Sequence, residues 1–495
     1  MKRLRIITAG IFLAGITLLF MGIGQQWWGW MAKIQFLPAC LALNAAVIAG
    51  VLVITALFGR IYCSTICPLG VLQDTAIAFR RAADKSISKS RARKHLSPWH
   101  SKRFSFSRER KWLRYGVLAL TIIALVADIQ CFVALIAPYS SYGRMVRAIT
   151  GIGSPRTDTA LLWIGLASFV LIIFLAVMFG RAWCSNICPV GTVLGSVSRF
   201  SLFRPRIDEN KCTHCHACEK KCRAACIDSE RVAIDSSRCV DCFDCFDACK
   251  SGAISFSAPK RKPAQAMAGN ATKRKPAQAY GHGTTEHKPA APDSSRRGFL
   301  AATGIIAGTV LGAKAQNAAA KAMSAAGNTS GPKSEPERTT PIVPPGAVSA
   351  EHFYNRCTAC QLCVSNCPNG VLRPTDDLTH FLQPHMSYEN GFCRPECTRC
   401  SEICPTGAIL PVERGRKTLI HIGYASVRKE DCIGCGKCAD TCPMGAIKMY
   451  KADGKSLPAV AREQCIGCGK CEYLCPVRPV SAIIVNGLEK HQEEQ

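Results

Sequence analysis

Phe58-Gly-Arg-Ile-Tyr-Cys-Ser-Thr-Ile-Cys-Pro-Leu-Gly70 and Phe179-Gly-Arg-Ala-Trp-Cys-Ser-Asn-Ile-Cys-Pro-Val-Gly191 are near copies of one another. Each directly follows a long apolar run, so each is expected where a helix leaves a membrane. An internal repeat of this kind predicts two related helical hairpins packed about an approximate two-fold axis. Within each copy the cysteines are four residues apart, Cys63/Cys67 and Cys184/Cys188, and on a helix that spacing puts both thiols on one face. Symmetric packing would bring the four thiols to one spot. There they would bind a metal or cluster, or form a redox-active pair beside a quinone. The plainer reading makes them small buried residues of a helix-ending element.

Outward from the repeats lie four runs, approximately Ile6–Ile23, Pro38–Phe58, Leu113–Ala137 and Thr159–Phe179. Each is long enough for about 30 Å of hydrocarbon, which takes roughly 20 helical residues. Trp27, Trp28 and Trp30 read as an interfacial aromatic belt. Arg80–Arg114 holds thirteen Lys/Arg against Asp84 and Glu109. By the positive-inside rule this places the loop, the N-terminus and both repeats on the cytoplasmic face. No histidine falls inside the four runs, His95 and His100 being the nearest, which excludes a membrane haem held by two imidazoles. Asp128 is an intramembrane acid and so a functional candidate. Cys40 and Cys131 lie towards the outer ends of their runs, and a pairing between them stays open.

The chain has 495 residues, 31 of them cysteine, and a formal charge of +28. The basic residues concentrate beside apolar segments and in a tether, so membrane topology accounts for the charge and nucleic acid is not expected as a partner. Beyond the repeats the cysteines fall into C-x2-C-x2-C-x3-C runs, the ligand spacing of [4Fe-4S] clusters rather than of a disulfide scaffold. The first two runs are Cys212/215/218/222 and Cys239/242/245/249. In two-cluster ferredoxins the fourth cysteine ligates the other cluster. One cluster is therefore assigned to Cys212, Cys215, Cys218 and Cys249, the other to Cys222, Cys239, Cys242 and Cys245. Arg223 and Lys250 stand where proline is usual, and Cys226 is surplus. Cys212-Thr-His-Cys-His216 also fits a c-type haem attachment site, but the quartet requires the same two cysteines, and His214 and His216 are read as solvent-facing.

Residues 257–293 form a basic Lys/Pro/Ala tether with Lys-Arg-Lys-Pro-Ala-Gln-Ala repeated at Lys260 and Lys273, too poor in apolar residues for a core. Ser294-Ser-Arg-Arg-Gly-Phe-Leu300 and the short apolar run after it resemble a twin-arginine export signal around Arg296 and Arg297. That route carries folded cargo, which suits a domain whose clusters are inserted before export. After a linker at 327–350 come four quartets, Cys357/360/363/367, Cys393/397/400/404, Cys432/435/438/442 and Cys465/468/471/475, each followed by proline. Sixteen such ligands predict four more [4Fe-4S] clusters, six in all. Zinc would need four ligands as two C-x-x-C pairs. Whether the fourth ligands exchange between neighbouring quartets or between first and last is open.

The predicted organisation is therefore multidomain. A four-span α-helical membrane bundle occupies 1–200, a two-cluster α+β ferredoxin-type domain 201–256, and the tether 257–293. A fifth, signal-anchor-like segment at 294–326 and the linker 327–350 lead to a four-cluster ferredoxin-type domain at 351–487. The N-terminal half, with its C-x3-C-P repeats and two quartets, resembles the NapH family of membrane ferredoxin-type proteins. The C-terminal part is similar to the NapG/MauM family of periplasmic ferredoxins, so the chain looks like a fusion of the two. The resemblance implies a bacterial inner-membrane protein with its C-terminal domain in the periplasm. It would pass electrons from the quinol pool, or from a cytoplasmic donor, to a periplasmic redox partner, with the twin-arginine machinery as export partner and quinol dehydrogenase activity as the enzymatic expectation. The alternative is a maturation factor reducing an immature periplasmic metalloenzyme. A redox sensor would need an output domain, and no such segment is apparent. No nucleophile–base constellation, phosphate loop or dinucleotide fingerprint occurs.

Overall fold

The computed structural model describes residues 1–89, 106–127, 130–151, 159–258, 333–375, 377, 379–452 and 454–493. The tether, the twin-arginine segment, most of the basic loop, Asp128 and the side chain of Cys131 lie outside the described residues.

The first 198 residues form two runs of six helices in the same order. The first run is α1 (Lys2–Phe20), α2 (Gln25–Lys33), α3 (Phe36–Leu41), α4 (Ala45–Phe58), α5 (Tyr62–Thr65) and α6 (Pro68–Lys89). The second is α7 (Lys111–Val126), α8 (Gln130–Ile136), α9 (Pro138–Thr150), α10 (Thr159–Phe179), α11 (Ala182–Asn186) and α12 (Pro189–Ser198). In each run a long helix is followed by two shorter ones, an apolar helix, a one-turn helix carrying the first repeat cysteine, and a helix opening on the repeat proline. The packing is reciprocal, because α4 lies against α12 and α10 against α6.

Two of the four expected spans are single helices long and apolar enough to cross a membrane, α1 and α10. The other two are interrupted. The Pro38–Phe58 run breaks after Leu41: Leu43 takes a left-handed φ of 54°, and the Asn44 side chain accepts from the Val47 N–H to start α4 afresh. With 14 residues, α4 is roughly 21 Å long at 1.5 Å per residue. The Leu113–Ala137 run is divided between α7, of 16 residues, and α8, of 7. Trp27, Trp28 and Trp30 lie on α2, which folds back along α1 and leaves Trp27 and Trp30 exposed. Trp30 meets Phe12 edge-on at 5.9 Å. A Cβ on Gly15 would stand 2.8 Å from the Met31 sulfur and 2.9 Å from the Trp28 ring.

Two thiol-rich modules flank the helices. In the smaller, β1 (Arg204–Ile207) pairs antiparallel with β4 (Ile254–Ser257), and β2 (Ile227–Asp228) with β3 (Ala233–Ile234). In the larger, residues 333–493, β5 (Leu372–Pro374) pairs with β6 (Pro384–Met386). There too β7 (Ile420–Val427) pairs with β10 (Ile483–Glu493), and β8 (Ile447–Ala452) with β9 (Lys455–Val460). Two-stranded sheets are marginal alone, and the cores of both modules are built substantially from cysteines.

The modules dock at opposite ends of α1. At its N-terminus Lys2 pairs with Asp244 of the smaller module at 2.9 Å. At its C-terminus the Leu19 carbonyl accepts from Asn366 Nδ2 of the larger module at 3.1 Å. The intervening helix measures roughly 25 Å by its rise per residue.

Candidate metal centres

Each residue of the repeat has a local task. Gly59 and Gly180 hold φ of 79° and 68°, ending α4 and α10 as only glycine does cheaply. The arginines that follow are fully buried, and each crosses to the other copy. Arg60 Nη2 donates to the Cys184 carbonyl at 3.2 Å, and Arg181 Nη1 to the Cys63 carbonyl at 2.9 Å. Cys188 is the N-cap of α12, its Sγ accepting from the Gly191 N–H at 3.4 Å, with Pro189 as the first helical residue. Cys67 accepts the corresponding bond from Gly70. A Cβ on Gly70 would sit 2.1 Å from the Cys63 carbonyl oxygen, and one on Gly191 2.2 Å from that of Cys184. The two copies thus fold alike and brace each other, and Cys63, Cys67, Cys184 and Cys188 are all buried. Cys67 and Cys188 are each close enough to Cys63 and Cys184 to interact electrostatically.

Around these thiols lie groups that sequence reasoning missed. Gln73, fully buried, takes the Cys184 thiol hydrogen on Oε1 at 3.5 Å, while its Nε2 has no acceptor among the described residues. Asp74, 6% exposed, joins three arginines: Arg5 at 2.9 Å, Arg181 at 2.8 Å and Arg223 at 3.3 Å. Arg223 continues to Asp244 at 2.6 Å, so the residue standing where proline is usual ties the smaller module to the helices. Burial alone would raise the Asp244 carboxyl, but the Arg223 guanidinium and Lys2 outweigh it and hold the group below the usual carboxylate range. Burial pushes Asp241, set against Gly59, up to about 7.

The remaining cysteines gather in sets. Cys222, Cys239, Cys242 and Cys245 line one pocket together with Cys226, whose Sγ is 3.5 Å from that of Cys222. Cys249 lies beside Cys215 and Cys218. In the larger module Cys367 joins Cys393, Cys397 and Cys400 around one pocket, and Cys475 joins Cys432, Cys435 and Cys438 around another. Cys404 lies near Cys357, Cys360 and Cys363, and Cys442 near Cys468. Fourth cysteines therefore exchange between neighbouring quartets. Among the described residues no three His, Cys, Asp or Glu side chains converge tightly enough for a single metal ion.

The backbone fits such a group. In all five C-x2-C-x2-C loops the residues flanking the second cysteine both take left-handed φ: His214/His216, Asp241/Phe243, Ala359/Gln361, Gly434/Gly436 and Gly467/Gly469. Alternating handedness turns successive N–H groups inward into an anion-binding nest. Six of these ten residues bear side chains and accept strain of about 1 kcal/mol or more each, which a bound anionic cluster would offset. His214 is exposed, and His216 bonds Ser229 Oγ at 2.6 Å. The loop opening C-x3-C has no such pair. There the buried Lys417 donates to Cys393 Sγ at 3.2 Å instead.

Comparison with known proteins agrees with this donor chemistry. A family model described as a 4Fe-4S binding domain matches residues 42–86 and 161–208, and another of that description residues 354–370. Models described as 4Fe-4S dicluster domains match 392–447 and 425–485. An uncharacterised protein of Methanocaldococcus jannaschii is 30% identical over 43% of this chain and 72% of its own length. Ferredoxin-type protein NapH of Escherichia coli is 29% identical over 45% of this chain and 69% of its own. Methylamine utilization ferredoxin-type protein MauN of Paracoccus denitrificans is 32% identical over 33% of this chain, but the match spans only 48% of that relative. The chain belongs to the NapH-like family of ferredoxin-type proteins. No solved structure matches. In this NapH-like chain the only cysteines inside 42–86 and 161–208 are the four of the repeats. Its ferredoxin-type domains carry 4Fe-4S electron-transfer chemistry.

Proposed function

We propose that this NapH-like protein carries electrons across a bacterial cytoplasmic membrane, from quinol or a cytoplasmic donor to a periplasmic reductase system. One observation carries the reading: two thiol-rich modules sit at opposite ends of α1, with the helical domain between them. The helical domain would be the multi-span membrane part, with the interrupted helices packed against α1 and α10. The smaller module would bind two [4Fe-4S] clusters through Cys212/215/218/249 and Cys222/239/242/245. The larger, NapG/MauM-like and exported behind Arg296–Arg297, would bind four. Its sets would be Cys357/360/363/404, Cys367/393/397/400, Cys432/435/438/475 and Cys442/465/468/471, following the neighbour exchange described above. The clusters supply one-electron chemistry, while the chain supplies nests, burial and Lys417-type donors that set their potentials.

A second reading is a maturation role, in which the clusters reduce an immature periplasmic metalloenzyme. The test is reduction by quinol in membranes. Adding a reduced quinone analogue to anaerobic membranes should bleach the visible absorbance of the clusters. Absorbance that responds to dithionite but never to quinol would rule out quinol as donor.

A further inference from the structure

We infer that Cys63, Cys67, Cys184 and Cys188 together hold an iron–sulfur cluster within the helical domain, and that this cluster is the electron station between the two modules. The inference rests on the transmembrane reading above and adds a centre to it.

Four features of the site point to an anionic guest. First, two Pro-headed helices present their N-termini to it, each capped by a cysteine sulfur, so backbone N–H groups and the positive ends of two helices face the site. Second, buried positive charge is in excess. Arg60 bonds two carbonyls and approaches Cys63 Sγ at 3.8 Å, while Arg181 shares the single carboxylate of Asp74 with Arg5 and Arg223. Four neutral thiols would add no negative charge to set against it, whereas a cluster held by four thiolates is negative. Third, the buried Gln73 amide meets Cys184 through Oε1 while its Nε2 lacks an acceptor among the described residues; with the amide turned over, Nε2 donates to a Cys184 thiolate or a cluster sulfur. Fourth, the matching 4Fe-4S binding segments contain no other cysteine. Packing alone explains small residues here, but not the arginines and the idle amide.

The site's position gives it a task. Cys242 of the smaller module and Cys360 of the larger one pack against the same buried core as Cys63, Cys67 and Cys188. The gap towards the larger module holds two tyrosines. Tyr62 neighbours Cys67, and Tyr139 neighbours Tyr62 on one side and Cys360 and Cys404 on the other. The step is a one-electron transfer in which no bond is made or broken. A reduced cluster of the smaller module is oxidised by one electron, the four-thiol centre takes it up, and the Cys357/360/363/404 cluster of the larger module is reduced.

Iron counting on the anaerobically purified full chain tests this. Seven clusters give roughly 28 iron atoms and six give roughly 24, at four per quartet. The double variant Cys67→Ser/Cys188→Ser, lacking two soft ligands, should lose about four iron atoms and one electron paramagnetic resonance signal. In oriented vesicles, an impermeant reductant at the smaller module's face should bleach the larger module's clusters in the parent protein and no longer in the variant. A parent value near 24 with all six module signals present overturns the inference and leaves the ferredoxin reading intact. Missing module signals would instead count against that reading. Unchanged bleaching in a variant that has lost the iron overturns the bridging role. Gln73→Leu keeps every thiol and covers failure of the double variant to accumulate. It should shift the midpoint potential of one signal alone, and an unchanged potential overturns the site.

Discussion

Asp74 shows how one side chain organises its surroundings. It neutralises part of three buried guanidiniums from α1, the second repeat and the smaller module, so removing its charge strands Arg5 and Arg181, while Arg223 keeps Asp244. We expect Asp74→Asn to cost about 3–5 kcal/mol, the range for breaking a buried pair from one side, read as a lower melting temperature of the purified protein. Asp247 also meets Lys2, but its side chain is 64% exposed, and Asp247→Asn should leave melting almost unchanged. Asp244 adds a pH dependence. Its folded-state pKa is depressed, so its contribution is present above the unfolded value near 3.9 and is lost as pH falls through the folded one. Hydrogen exchange at the α1 N-terminus should stay protected through neutral pH and open only below about pH 4. Protection lost already near pH 6 would contradict this.

At the scale of elements, the repeat turn tolerates no side chain at its second glycine. Gly70→Ala or Gly191→Ala would drive a methyl into a backbone carbonyl. Overpacking of this kind costs about 1–3 kcal/mol, and the displaced carbonyls are the ones Arg181 and Arg60 hold. Both variants should therefore accumulate less folded protein, while Gly116→Ala on α7, with open space around it, should accumulate normally. Equal yields for all three would contradict the account. The repeat itself was legible, because motif copies and cysteine spacing are local patterns. So were the quartets. The interrupted spans were not, since apolar composition reads through the left-handed Leu43, although Asn44 as a helix cap was a usable sign. The Arg5–Asp74–Arg181–Arg223 network could not be read at all. In sequence these are single charges in four separate segments, and only folding brings them together.

At the scale of the molecule, α1 is tied at both ends, to Asp244 through Lys2 and to Asn366 through Leu19. If the helical domain lies in a bilayer, the modules face different compartments. Reporter fusions after residues 255 and 490 should then give opposite answers, one active only in the cytoplasm and the other only outside it. Two cytoplasmic answers would refute the proposed topology, whatever the iron content.

The crossed arginines carry a consequence for the chain's ancestry. Arg60 secures the other repeat's cysteine carbonyl and Arg181 returns the contact, so one six-helix unit has half a brace and two of the four thiols. A shorter forebear with a single unit could have completed the site only by pairing with its own twin, through a self-complementary two-fold face. Joining the units in one polypeptide would make that partnership permanent. It would also free each half to diverge, and the second half's half-buried Trp183, standing where the first has Tyr62, is one such divergence.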